Sequence, residues 1–197
     1  MKDAADPAHW REVLEFWFGA TDSAERGRPR KPWFVKSPEL DAAVKQRFHA
    51  THAAAVAGQL DAWERTPLAA LALVVTLDQF PRNMFRGQAR AFAADAKALE
   101  VARRLVERGF DAALVPVERW FAYLPFEHAE EIEAQRQALA LFERLGFDPA
   151  SAGAFEYARR HHDVVARFGR FPHRNAILGR ASTAEELEFL QQPGSAF

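Results

Sequence analysis

Two short segments of this 197-residue chain gather arginine, asparagine and histidine at matching positions. In the first, Val74-Val75 leads to Gln79-Phe80-Pro81-Arg82-Asn83 and then Phe85-Arg86-Gly87. In the second, Val164-Val165 leads to Arg170-Phe171-Pro172-His173-Arg174-Asn175 and then Leu178-Gly179-Arg180, an alignment that needs one inserted residue. Arginine forks take carboxylates or phosphates in bidentate fashion, and an asparagine amide supplies both a donor and an acceptor. Asp78, Gln79, Arg82, Asn83 and Arg86 on one side, and Arg170, His173, Arg174, Asn175 and Arg180 on the other, therefore suit an anion or amide-bearing ligand held between two facing turns. The competing reading is structural. Arginine also bonds the orphan carbonyls of helix ends, and asparagine tolerates turn conformations. Asp78 ends an apolar run, so if buried it needs a partner such as Arg82 or Arg174.

The remaining histidines add acid–base candidates. His128 and Glu131 are spaced i, i+3, with Gln135 one further turn along if a single helix carries all three. His161 and His162 are adjacent and point about 100° apart on a helix, so they do not share one metal. No HExxH and no Glu-x-x-His pair occurs, so neither a metal nor a cofactor is expected. His128 and His161 are the candidate catalytic groups, because imidazole titrates near neutrality. A hydrogen-bonded structural histidine is the plainer reading of each.

Composition limits the chemistry further. With no cysteine, a thiol nucleophile, a thiolate metal site and a disulfide framework are excluded. A net charge of -1 gives no electrostatic case for dedicated nucleic-acid binding. Walker, GxGxxG and GxSxG motifs are all missing. No apolar run reaches the roughly 18 residues of a membrane span. The stretch MKDAADPAHWREVLEFWFG is too interrupted by charge for a signal peptide, which makes a cytoplasmic protein the default expectation.

The elements that must position these residues are helical. Alanine contributes 39 residues, whereas valine and isoleucine together contribute 14. Alanine is the strongest helix former and β-branched residues favour strands, so an all-α chain is predicted. Asp6-Pro7, Ser37-Pro38, Thr66-Pro67 and Asp148-Pro149 each set a capping side chain before a proline, and Thr183 with Glu186 makes a capping box. Gly19, Gly58, Gly109, Gly146 and Gly169 read as stops. Helices are expected near 7–18, 38–57, 67–80, 95–108, 117–124, 128–145, 150–168 and 184–191, with a short turn at 59–64. Each Phe-Pro step is expected to end its helix, since proline pushes the preceding residue out of the α region. The helix from 67 is apolar nearly all round and should be central, while Trp10, Trp17 and Phe18 should face the core. The arginines from Arg159 to Arg180 read as a solvated face, with a groove lining for acidic peptides or RNA backbone as the alternative.

At these motifs the sequence resembles a family of helical proteins known as domain of unknown function 924, which has bacterial and eukaryotic members and is placed among tetratricopeptide-like folds. VLEFWFG (13–19), WF (33–34), LDQFPRNMFRG (77–87) with AFAAD (91–95), YLPFEHAEEIEAQ (123–135) and HDVVARFGRFPHRNAILGRAST (162–183) carry the resemblance, which spans nearly the whole chain. One departure is Ala129, where the family pattern often has serine, so a hydroxyl is missing there. The resemblance implies a fold and no activity. It adds Asp95 and Glu130 to the polar positions named above.

The expectation is one all-α domain over 1–197, of about eight stacked antiparallel helices in a tetratricopeptide-like bundle. Its polar pocket would form where the two Phe-Pro segments, the His128 segment, Gln135 and His161 converge. A binding module for a small anionic ligand or peptide fits best. The alternatives are an enzyme acting on a small anionic substrate with a histidine acid–base and arginine clamps, and a structural or homo-oligomer-forming protein with no ligand.

Overall fold

The computed structural model describes residues 9–23, 26–33, 35–146, 151 and 153–195, and these fold into eight α-helices without a strand. They are α1 (His9–Phe18), α2 (Pro38–Val56), α3 (Pro67–Met84), α4 (Asp95–Glu107), α5 (Pro116–His128), α6 (Ile132–Arg144), α7 (Ala154–Phe168) and α8 (Ala184–Leu190). Helices consecutive in sequence pack on one another from α2 through α7. None of the described helices is long and apolar enough to cross a membrane.

Local signals set several of these boundaries. Ser37 accepts from the Leu40 amide at 3.2 Å before Pro38 opens α2. Thr183 and Glu186 exchange side-chain and backbone bonds at the start of α8, as a capping box should. Thr66 is extended before Pro67, yet its side chain makes no cap bond. The Asp6-Pro7 and Asp148-Pro149 signals lie outside the described residues. Gly169 takes φ +70° and turns the chain out of α7, a conformation that a Cβ disfavours.

Two prolines did not end their helices. α3 runs through Pro81 to Met84, and α5 runs through Pro125 to His128. A proline in a helix interior costs about 3 kcal/mol through a lost bond and a clash with the preceding turn. Here the residues that benefit from continuing are buried: Phe80, Pro81 and Met84 in α3, and Pro125, Phe126 and Glu127 in α5. Arg82 also donates to the Asp78 carbonyl at 2.6 Å, beside the proline break. As a result the first Phe-Pro segment is helical. The second is a short 3-10 turn, Pro172–Arg174, entered from an extended Phe171. The two segments therefore share sequence but not conformation. α6 likewise starts at Ile132 rather than 128, because Ala129 and Glu131 are extended. His128 and Glu131 accordingly do not share a helix face.

α3 lies at the centre, packed by α1, α2, α4 and α5. Leu71, Leu73, Val74, Val75, Leu77 and Phe80 are wholly buried. Phe80 stacks on Phe48 (centroids 4.7 Å apart) and meets Trp17 edge-on at 5.7 Å. Val164, Val165 and Phe171 form a separate small cluster, with Phe168 and Phe189 packed against it. Phe80→Ala should destabilise the protein by about 3–5 kcal/mol, measured by urea unfolding, because removing a ring packed against Phe16, Trp17 and Phe48 leaves a cavity.

Candidate functional site

Asp78 is completely buried in α3, and its carboxylate organises the site. Its Oδ1 and Oδ2 lie 2.8 and 3.0 Å from Nδ1 of His128 at the end of α5. Gln79 donates to Oδ2 at 2.6 Å, and Arg82 sits 3.3 Å from Oδ1. Burial alone would raise the pKa of this carboxyl, but Arg82, His128 and Gln79 hold it well below the usual carboxylate range. Burial, reinforced by Arg82, lowers His128, and Asp78 only partly counteracts that shift. A neutral imidazole beside an ionised carboxylate places its proton on Nδ1, which leaves the Nε2 lone pair for the cleft.

A chain of charge continues outward from Asp78. Arg82 grips Asp95 at the start of α4 with two bonds of 2.9 and 3.1 Å. Arg174, from the second Phe-Pro segment, reaches the same carboxylate at 3.4 Å. The two echo arginines thus meet on one acid. Arg174 is only 6 % exposed, and its guanidinium lies over the rings of Phe92 (4.7 Å) and Phe171 (4.5 Å). Burial and the nearby Arg82 lower it to about 10. Beside it, burial and Arg174 lower His173 to about 4.

These groups border a cleft of about 420 Å³. Gln79, Arg82, Asn83 and Arg86 line it from α3 and its continuation, and His128, His161, His173 and Arg174 line it from the other side. Trp17, Trp33 and Phe92 supply an aromatic wall, with Lys36 and Ile177 also at the lining. Asn83 and Arg86 are both tied to Asp41 of α2, by bonds of 2.7 to 2.8 Å.

The other expected site residues lie outside that lining. Gln135 is buried in α6, where it donates to the carbonyls of Glu127 and Ala129 at 2.6 and 2.7 Å and closes the end of α5. Arg170 pairs with Glu186 at 2.7 Å, and Asn175 donates to Ser182 and Glu186. Arg180 is paired with Glu130 and also bonds Asn175. Glu130 in turn accepts from the Phe171 amide at 2.7 Å. This network fastens the segment after α7 to the α5–α6 link. Of the remaining arginines in that stretch, Arg159 pairs with Glu156 and Asp163, and Arg167 pairs with Glu185, as a solvated face would.

Glu127 was not foreseen. It is 3 % exposed, and its Oε1 lies 3.1 Å from Nδ1 of His161. That Nδ1 also lies 2.8 Å from the Tyr157 carbonyl, an acceptor only, so it carries the proton. Burial and the negative Asp78 raise Glu127 to about 8, while burial and His128 lower His161 to about 3. The pair is thus carboxylic acid and neutral imidazole at neutral pH. The lone acid inside the apolar run YLPFEH was the available sequence signal. Trp17 was assigned only to the core, where it does lie, but it also faces the cleft. Asp41, in a charged stretch far from its partners, gave no signal.

These shifts set the stability profile. His161 and His173 are depressed when folded, so the unfolded chain binds more protons than the folded one as pH falls below about 6.5, and stability is lost there. Glu127 is raised to about 8 when folded, so the folded chain keeps a proton that the unfolded chain has released, and stability is lost as pH rises toward 8. Thermal unfolding should therefore peak near pH 6–7. Glu127→Gln should remove the decline on the alkaline side while leaving the acid side in place.

Comparison with known proteins agrees with this fold and assigns it no activity. No curated protein matches the chain. A solved structure of a protein of unknown function from Agrobacterium tumefaciens is similar to it, with a TM-score of 0.84 and 40% identity over 96% of this chain and 99% of that one. The model of the family described as bacterial protein of unknown function (DUF924) matches residues 13–194, which takes in both Phe-Pro segments, the Asp78–His128 pair and the Arg174 turn. The chain belongs to that family.

Proposed function

We propose that this chain binds a small anionic ligand in the cleft between α3 and the Arg174 turn. The observation that carries the reading is Arg174. A guanidinium this deeply buried ordinarily has strong partners, since an uncompensated buried charge is costly. Arg174 has a single long contact with Asp95, which Arg82 already holds bidentately. Its Nε is buried and has no partner among the described residues. The indole N–H of Trp17, another residue of the cleft lining, is also buried without a partner among the described residues. Both are donors of cleft-lining residues, and the neighbouring histidines are neutral and do not compete for an anion as charges.

The aromatic wall suits the remainder of such a ligand. Trp17 and Trp33 stack with centroids 6.1 Å apart, and Phe92 lies under both Arg82 and Arg174. A flat or apolar body carrying one acidic group matches this combination of a greasy face with a few placed donors.

A thermal-shift panel of inorganic phosphate, small carboxylates and short acidic peptides tests the reading. A binder at a hundredfold excess over its Kd should add about 2.7 kcal/mol of stability. Arg174→Met keeps the packing between the two phenylalanines and should fold but lose that response. A silent panel, or an Arg174→Met protein that responds like the parent, would leave the arginines with a structural role only.

A further inference from the structure

Two imidazoles at the cleft have a buried acid behind them, but His128 alone among the described residues there is backed by an ionised one, and this relation has a chemical use beyond binding. The cleft lining contains no serine, threonine or tyrosine among the described residues, and the chain has no cysteine. Of the carboxylates beside it, Asp78 has no exposure and Asp95 is held by Arg82 and Arg174, which leaves nitrogen as the covalent nucleophile at this site. His161 has its Nδ1 turned to the Tyr157 carbonyl and Glu127, away from any ionised carboxylate, and His173 stands against Arg174. Only His128 has its Nδ1 fixed on an ionised acid, so that a positive charge developing on the ring as Nε2 bonds is met by Asp78 at 2.8 Å. Arg82 and Arg174 line the same cleft and meet on Asp95. A phosphoryl group, with three terminal oxygens, can use two guanidiniums at once while its phosphorus stays open to attack.

Building on the anion-binding reading, we propose that the cleft hydrolyses small phosphate monoesters, with Nε2 of His128 as the phosphoryl acceptor and Asp78 as its positioning residue. The Nε2 lone pair attacks phosphorus, and the P–O bond to the alcohol or phenol breaks with its electron pair on the departing oxygen. That oxygen leaves as a phenolate or takes a proton from water. Water then attacks the phosphoryl group, and the P–N bond breaks with its pair returning to Nε2. The water proton passes to solvent, and inorganic phosphate leaves. The balance is one water consumed per ester cleaved, with no redox change. The aromatic wall of Trp17, Trp33 and Phe92 favours a flat leaving group.

The test uses p-nitrophenyl phosphate and the whole chain. The expected result is nitrophenolate release, with an acid-labile, base-stable phosphoryl group mapped by mass spectrometry to the His128 peptide. His128→Ala should release nitrophenolate roughly 10²–10⁴-fold more slowly, and free imidazole should restore part of the rate, which a purely structural histidine would not allow. Asp78→Asn should lower kcat by a similar factor with little change in KM, because asparagine can hold the wrong tautomer. If Asp78→Asn does not fold, the His128 variant and the adduct decide. Release that survives in His128→Ala, or a parent protein no faster than that variant, overturns the proposal. If inorganic phosphate still raises the parent's Tm in that case, the anion-binding reading stands without the chemistry. If phosphate and the carboxylates raise no Tm, both fail.

Discussion

A single carboxylate with no exposure to water, Asp78, constrains the rest of the structure. An ionised group at the core of an apolar helix is tolerable only if donors arrive from several directions. They come from three places: Gln79 beside it, Arg82 one turn on, and His128 from α5. This requirement fixes α5 against α3 at one height. It also accounts for α3 continuing through Pro81, since a break at Phe80 would take Arg82 off the face that carries Asp78. Arg82 then needs a second acid, Asp95, which anchors the start of α4 and receives Arg174 from the far end of the chain.

Around this network a second layer of buried chemistry is arranged by the opposite logic. Glu127 and His161 face each other in a site too dry for charge, and both are neutral. The facing helices α3 and α5 thus hold two buried acids in different states, because Asp78 has a guanidinium beside it, whereas burial and the negative Asp78 act on Glu127. The segment after α7 is fastened by Glu130 and Glu186, which take up Arg180, Arg170 and the Asn175 amide. Those bonds hold Arg174 at the cleft over the buried Phe171 and leave it less well paired than the arginines around it. Structural and candidate functional roles therefore divide within one short motif: Arg170, Asn175 and Arg180 fasten the segment, while His173 and Arg174 border the cleft.

Much of the helical plan was legible. Alanine-rich composition, the Ser37-Pro38 and Thr183–Glu186 signals and the apolar span from 68 to 77 led to the observed elements and to α3 as the centre. The two proline steps were misleading, because a local preference against helix was outweighed by burial of Phe80, Met84, Phe126 and Glu127. The echo of Phe-Pro segments was informative in a way its local logic did not supply. The expected matching turns did not form, yet both arginines arrive at Asp95. The partners of the charged residues were harder to see. Asp41 with Arg86 and Glu130 with Arg180 are separated by 45 and 50 residues, so no local spacing links them.

The sequence by itself determined that this is a helical chain with no thiol chemistry, and it named most of the polar side chains that border the cleft. Helix propensity, capping and hydrophobic periodicity are local quantities, and residues within one or two turns are enough to set them. Tertiary structure alone decided which arginine would be paired, which acid would be neutral and which histidine would have a carboxylate behind it. Charge state and pairing depend on burial and on neighbours brought from distant helices, and neither is written in the spacing of residues along the chain.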